Sequence, residues 1–486
     1  MAAADQNTGA TEQPAVATPQ YDRAQLSAGI VHIGVGNFHR AHQAYYLDCL
    51  FNEDRDHDWA IVGAGLMPYD AAMRADLARQ DWMSTVVELD PDGLSARRVG
   101  AMIDYAEVSA EGLIRALTRP EIRIASLTVT EGGYFVDATS GGLDFDHPAI
   151  CADIANPDAP QTVFGCLIKA LGQRRASGHP PLTLMSCDNL PENGHVTRTT
   201  VLGLANEIDG DLAGWIADNV AFPNGMVDCI TPATSDRERS LVRETFGIDD
   251  PRPVTCEPFR QWVLEDTFSS GRPALERVGV EFVNNVAAYE LMKLRILNGG
   301  HAAIAYPAAL MSYELVHEAM GATLIRAFLE KLQRSEIIPT VPAIPGVDFG
   351  AYFATIIERF SNSAVRDTIP RLCLDGSNRQ PKFILPAIKD RLAVGASIDG
   401  LSLEVALWCR YCAAAANGEG SIVLEDELAD TLKVHAARTA QDPTAFLEIE
   451  SVFGSLAHEQ AFRAAFTSAI TALWRDGTEA TLARYL

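Results

Sequence analysis

Up to about residue 285 the chain alternates short β-branched runs with runs of helical period, and beyond that point strand-like runs are few. The first alternation is the clearest. Gly29-Ile-Val-His-Ile-Gly-Val-Gly36 reads as a buried strand running into a glycine turn, and Phe38 to Leu50 then has helical spacing. Trp59 to Gly63 is a second short strand. Arg123 to Val129 and Leu182 to Ser186 are further β-rich runs bounded by polar turns, with helical patterns between them at Ala72–Leu77 and Val163–Arg175. Strands that alternate with helices imply a largely parallel sheet with right-handed crossovers. From Tyr289 onward the pattern is helical, as in Met320–Leu332, Ser402–Ala415 and Ala461–Trp474. The expected fold is α/β, with an α/β domain over residues 28–285 and an α-helical domain over 286–486. Residues 1–27, rich in Ala, Thr, Gln and Pro at their start, read as a disordered leader.

The length of 486 residues exceeds one ordinary core, which agrees with two domains. A formal net charge of −25 argues against nucleic acid or an anionic membrane as the main partner. No apolar run approaches the roughly 20 residues that span a bilayer, and no basic segment followed by an apolar one marks a signal peptide. A cytoplasmic protein is expected. The nine cysteines are scattered and odd in number, so they read as free thiols. Cys409-Arg-Tyr-Cys412 has no second pair or neighbouring histidine, which weakens a zinc or redox reading.

The segment Lys293-Leu-Arg-Ile-Leu-Asn-Gly-Gly-His301 carries the strongest chemical signal. Its proton-handling groups, with Glu290 three residues upstream of the lysine, sit in an otherwise apolar stretch that reads as a buried helix. A buried lysine loses proton affinity, which suits it to act as a base near neutral pH. The competing reading is a Glu290–Lys293 ion pair one turn apart. Lys293 and His301 fall on one face of an ideal helix; Asn298 does not, but Gly299-Gly300 permits a break that could reorient it.

Other motifs follow strands. Gly34-Val-Gly36 fits a turn whose backbone approaches a pyrophosphate, or a plain strand-turn-helix. The third glycine of the usual dinucleotide fingerprint is replaced by His39. Asp70, after the second strand, offers a carboxylate for ribose hydroxyls and favours NAD over its phosphorylated form. Arg40 fits a phosphate contact or helix packing, and His39 with His42 is a weak metal pair. Thr130-Glu131-Gly132-Gly133-Tyr134 and Ser186-Cys-Asp-Asn189-Leu-Pro191 follow strands at the edge where ligands bind in such sheets, or are ordinary loops. Asn189 could donate to an oxygen that gains negative charge, or cap a turn. Asp228, after an Asn-Gly turn, fits a hydroxyl contact or a cap.

Taken together, Ile30 to Gln43, Thr130 to Tyr134, Ser186 to Pro191 and Lys293 to His301 resemble the long-chain mannitol dehydrogenase family, from about residue 28 to the C-terminus. The resemblance implies a Rossmann-type N-terminal domain, a mainly helical C-terminal domain, and a metal-independent, NAD-dependent secondary-alcohol dehydrogenase. It places Gly34, Gly36, Asn37, Phe38, Arg40, Asp70, Glu131 and Gly132 at the cofactor. It makes Lys293 the general base, Asn189 and Asn298 an oxyanion hole, His301 a substrate contact and Glu290 a gate for proton exchange. Asp228, Arg371 and Lys382 match positions that hold polyol hydroxyls. The substrate branch is divided. Arg371 to Ser377 and Pro381-Lys-Phe383 resemble the mannitol branch, whereas Glu192 to His195 and Cys256 to Val263 also resemble the fructuronate reductase branch. Gly300 replaces a serine common in the mannitol branch, and Tyr69 stands where some members place a cofactor-selecting acid, so NADP stays open.

The implied reaction is oxidation of a polyol to a ketose, foremost D-mannitol to D-fructose. The alternatives are a D-mannonate oxidoreductase (fructuronate reductase) and a non-catalytic NAD-binding sensor. The expected partner is a small polyol or ketose, and family members of this length are often monomers.

Overall fold

The computed structural model describes residues 15–137 and 140–486, which divide into two compact units at Ala287/Ala288. The named strands of the described residues all lie in the first unit. In chain order they are β1 (Val16–Ala17), β2 (Ala28–Ile33), β3 (Ala60–Ala64), β4 (Ser84–Glu88), β5 (Ser95–Val99), β6 (Met102–Tyr105), β7 (Ile124–Leu127), β8 (Thr183–Ser186), β9 (Gly225–Asp228), β10 (Val254–Cys256), β11 (Gln261–Glu265) and β12 (Glu281–Val283).

The central sheet has the order β6-β3-β2-β7-β8, and every neighbouring pair is parallel. In order along the chain this is 3-2-1-4-5, the Rossmann arrangement, with its topological switch between β2 and β7. Every residue of β2, β3, β7 and β8 is buried, as expected of a parallel sheet covered by helices on both faces. Side chains alternate between two cores. Val31, Ile33, Val62, Ala64, Ala125, Leu127 and Leu184 face one, while Ile30, Ile61, Met102, Ile124 and Met185 face the other. Burying each large aliphatic side chain contributes roughly 1.5–3 kcal/mol, so the register of these short strands is strongly set.

Two smaller sheets attach to this one in sequence. β4 and β5, an antiparallel pair between the second and third Rossmann strands, join β1 and β10 in the order β1-β5-β4-β10. β12-β11-β9 forms the third sheet. The expected leader over residues 1–27 is corrected from residue 15 onward; residues 1–14 lie outside the described residues. Val16–Ala17 pairs with β5. Tyr21 Oη donates to Asp48 at 2.6 Å, and Arg23 donates to the carbonyls of Gly100 and Met102. These bonds anchor a segment whose composition alone gave it no core to join.

The expected helix over Phe38–Leu50 is two helices, Asn37–Ala41 and Gln43–Asn52, broken at His42 (φ −121°, ψ −89°). The regular elements of the second unit are helices, with one bridge between Leu315 and Thr368. Its centre is the helix Asp399–Asn417, which is buried along nearly its whole length and packs Trp408 edge-on against Phe446 at 4.9 Å. The nine cysteines form no disulfide. No helix among the described residues is long and apolar enough to cross a membrane.

One carboxyl in this core has no counter-ion among its hydrogen bonds. Glu404 is fully buried, and Gln380 Nε2 donates to its Oε1 at 2.6 Å. Burial pushes its carboxyl up to about 8, against the amide, which favours the anion. In the unfolded chain it titrates near 4.5. The folded state therefore holds a proton that the unfolded state gives up, and stability falls as pH rises from about 4.5 through 8. Glu404→Gln keeps a carbonyl for Gln380 and removes the titration. Thermal melts should show the variant more stable than wild type at pH 8, with the difference shrinking towards pH 5.

Candidate functional site

The switch point is built by backbone. Gly34 has φ +96°, and a Cβ there would lie 2.1 Å from Thr128 O, so only glycine fits between β2 and the end of β7. Gly34 N–H donates to Ala64 O, and Gly36 N–H donates back to Gly34 O at 2.7 Å. A Cβ on Gly36 would meet only Gly34 O, at 3.9 Å, which leaves room beside the turn. Helix Asn37–Ala41 opens directly from Gly36 without a side-chain cap. An open turn with amides at a helix start is the geometry that cradles a pyrophosphate, so this turn fits a dinucleotide.

His39 fills the space that a third glycine would leave. Its ring stacks on His32 at 3.4 Å, nearly parallel. His32 is tied to Ser126 Oγ at 2.8 Å and to Thr128 Oγ1 at 2.9 Å, joining β2 to β7. Burial brings the His32 imidazole down to about 3 and holds His39 well below its usual value, so both are neutral packing groups.

Three other expected cofactor residues are engaged in the fold. Arg40 is buried, and it donates to Gly36 O, Asn37 Oδ1 and Arg252 O. Asn37 donates to Pro232 O and Thr234 Oγ1. Asp70 turns its carboxylate back onto the start of helix Pro68–Ala78, accepting from Met67 N–H at 2.8 Å. The neighbouring Tyr69 and Met67 are exposed instead. Phe38 stacks on His42 at 4.7 Å.

After β7, Thr130 adopts φ +67°, a conformation unusual for a β-branched residue. Glu131 and Gly132, both exposed, follow it in the short turn Glu131–Tyr134. Asp188, which the sequence reading passed over, holds this loop. Its carboxylate accepts from Val129 N–H, Thr130 N–H and Tyr134 Oη at 2.7–3.0 Å. Burial raises its pKa while these three bonds oppose the rise. Asn189 is the next residue, exposed at the carboxyl end of β8. Behind it, buried Asn193 exchanges two hydrogen bonds with the backbone of Gly225. This ties the loop to β9, whose last residue is the buried Asp228.

In the second unit, Glu290, Lys293, Asn298 and His301 are half-buried. The segment is not a uniform buried α-helix. Val286–Met292 is α, Lys293–Asn298 is a π-turn, and Gly299–Leu310 is α again. The break that Gly299-Gly300 permits is not made, since Gly299 is helical (φ −62°, ψ −33°) and helix Gly299–Leu310 runs on through Gly300. The wider turn does the reorienting. Residues five apart diverge by about 140° around an α-helix, whereas i→i+5 bonding widens the turn and brings them onto one side of it. Lys293 and Asn298 are such a pair. Gln333, fully buried, donates to Ile296 O within the turn at 2.9 Å. Arg295 anchors the turn from behind, on Thr340 O at 2.7 Å and Asp390 at 2.5 Å. His301 stacks on Phe360 at 4.3 Å.

Arg371 and Lys382 are exposed, on helices Ile369–Cys373 and Gly376–Phe383. Arg371 Nε donates to Asp367 at 2.6 Å, and its Nη2 bonds the second oxygen of the same carboxylate. No group of three or more His, Cys, Asp or Glu among the described residues is arranged to hold a metal ion.

Comparison with known proteins agrees with this architecture. The mannitol dehydrogenase Rossmann domain matches residues 28–277, and the mannitol dehydrogenase C-terminal domain matches residues 285–474. Mannitol 2-dehydrogenase of Cereibacter sphaeroides is 56% identical over 97% of this chain and 99% of its own. The structure of Pseudomonas fluorescens mannitol 2-dehydrogenase with NAD and D-mannitol superposes with a TM-score of 0.83, at 43% identity over 97% of this chain and 96% of its own. A D-sorbitol dehydrogenase in substrate-free form superposes with a TM-score of 0.90, at 34% identity over 97% and 98%. With both domains matched and relatives aligned over nearly the whole length, the chain belongs to the mannitol dehydrogenase family of oxidoreductases.

Proposed function

We propose that this protein oxidises the C2 secondary alcohol of a polyol to a ketone with NAD, and that D-mannitol, giving D-fructose, is its substrate. The π-turn carries the reading on the structural side, because it sets an amine and an amide donor five residues apart on one wide turn. The relative solved with NAD and D-mannitol, 43% identical over 97% of this chain, supports the choice of cofactor and substrate.

Lys293 as the free amine takes the proton from the C2 hydroxyl. The C2 hydrogen leaves with its electron pair, so the carbinol becomes a carbonyl and Lys293 ends as an ammonium. When bound, NAD supplies the nicotinamide carbon that accepts this hydride. Asn298 and Asn189 donate to the C2 oxygen as its charge grows. Such donors count most where they are held before the reaction begins, and Gln333 and Asp188 do that holding on their two segments. His301, with its ring set by Phe360, contacts the sugar. Glu290, one turn before the lysine, passes the proton on to solvent. Asp228, Arg371 and Lys382 hold the remaining hydroxyls. At the cofactor, the Gly34–Gly36 turn receives the pyrophosphate, with Phe38, Glu131 and Gly132 at its rim.

Positioned proton transfer contributes about 10²–10⁴ in rate. Lys293→Ala should therefore lose at least that much kcat for mannitol while binding NAD with nearly unchanged affinity by calorimetry. Near-normal turnover in this variant removes Lys293 from the role of base. His301→Ala should keep a native circular dichroism spectrum and lose sugar turnover; a loss of fold instead would make the ring a core element.

Initial rates over D-mannitol, D-arabinitol and D-sorbitol with NAD and NADP, and over fructose, fructuronate and tagaturonate with NADH, test the substrate. The proposal expects mannitol with NAD to be fastest among the polyols, and fructose to exceed both keto-acids. Preference for a keto-acid would place the chain in the reductase branch.

A further inference from the structure

The bidentate pair of Asp367 and Arg371 bears on which sugars can bind, provided that Arg371 is a substrate contact as proposed above. The two residues stand one helical turn apart, flanking Thr368, which caps helix Ile369–Cys373. Asp367 is held on several sides. Its Oδ1 accepts from Thr368 N–H at 2.8 Å as well as from Arg371 Nε, and its backbone carbonyl accepts from Val316 N–H at 2.9 Å. The adjoining Thr368 bridges to Leu315. The Asp367 side chain is 12% exposed, against 49% for Arg371, so the carboxylate is the fixed partner and the guanidinium the one that reaches outward.

Burial of Asp367 works against its ionisation, but the hydrogen bonds and charge of Arg371, with His301 adding to them, hold its carboxyl below the usual range. Arg371 therefore meets a permanent anion. A fork that already grips a carboxylate with two N–H groups offers its remaining donors as a nearly neutral array. Polyol hydroxyls can accept from such an array without bringing charge. The carboxylate of a sugar acid would have to displace Asp367 or sit beside it, and like charges placed together oppose binding.

We infer that Asp367 is a specificity-determining residue that biases the Arg371 subsite toward neutral polyols and ketoses and against sugar acids. The deciding quantity is the ratio of kcat/KM for D-fructuronate to that for D-fructose, measured with NADH. Asp367→Asn should raise this ratio by about tenfold or more, and Asp367→Glu, which restores the charge, should leave it near the wild-type value. An unchanged ratio in a folded Asp367→Asn variant overturns the inference.

Wild type supplies a measurement that needs no variant. D-mannonate should inhibit mannitol oxidation only at concentrations about tenfold or more above the mannitol KM, and tight competitive inhibition also overturns the inference. Arg371→Ala separates this idea from the reading beneath it. A raised KM for fructose in Arg371→Ala with an unchanged ratio in Asp367→Asn rejects the role of Asp367 alone. An unchanged KM in Arg371→Ala rejects Arg371 as a substrate contact, and the inference with it.

Discussion

The first unit depends on the close approach of Gly34 to Thr128 O. With a Cβ only 2.1 Å from that oxygen, no other residue lets β2 and β7 lie together where the strand order reverses. Around this contact the fold spends polar groups on fastening itself. His32 spans the two strands, His39 stacks on His32, and Arg40 is consumed by three carbonyl and amide oxygens. What remains towards solvent is backbone, the open turn at Gly36 and the start of a helix. A diphosphate is well served by such a surface, because N–H groups fixed by secondary structure need no ordering when the anion arrives.

The second unit solves a different geometrical problem. Lys293 and Asn298, proposed above to act on one oxygen, need to emerge on one side of their helix, and an α-helix does not allow that for residues five apart. A single π-turn does, at the expense of regular hydrogen bonding, and such turns occur frequently at functional sites. Here the compensation is visible. Gln333 bonds the turn at Ile296 O, and Arg295 braces the same turn against Thr340 and Asp390. Asp188 does the comparable work in the first unit, where it pins three donors of the loop after β7 while Asn189 follows it in sequence.

The parallel sheet was legible because β2, β3, β7 and β8 are buried on both faces and so are made mostly of apolar and small residues. β5, Ser-Ala-Arg-Arg-Val, was not, because Arg97 and Arg98 in its middle hide the alternation. Their charges are accommodated by partners that only the fold supplies, Asp48 for Arg97 and Thr85 for Arg98. The segment Lys293–His301 was legible as an apolar run with out-of-place polar groups. Its conformation was not, since nothing in Leu-Arg-Ile-Leu distinguishes an α-turn from a π-turn, and the Gln333 amide that bonds the turn lies more than thirty residues away. Asp70 shows the converse. Its position after the second Rossmann strand suggested a ribose contact, yet the same position is the third residue of a helix that begins with Pro68, where a carboxylate can bond the free amides.

Charge is therefore a poor guide to ligand chemistry until its partners are known. Arg40, Arg371 and Lys382 all look like anion receptors in a chain with net charge −25. Arg40 is buried and spoken for. Arg371 reaches solvent but carries Asp367 with it, so what it presents is a hydrogen-bonding surface more than a positive charge. A polyol, neutral and lined with hydroxyls, gains from donors in fixed places and gains little from an unmatched cation. The pairing of Arg371 thus agrees with the hydride chemistry proposed for Lys293 and Asn298 on an uncharged chain of hydroxyls.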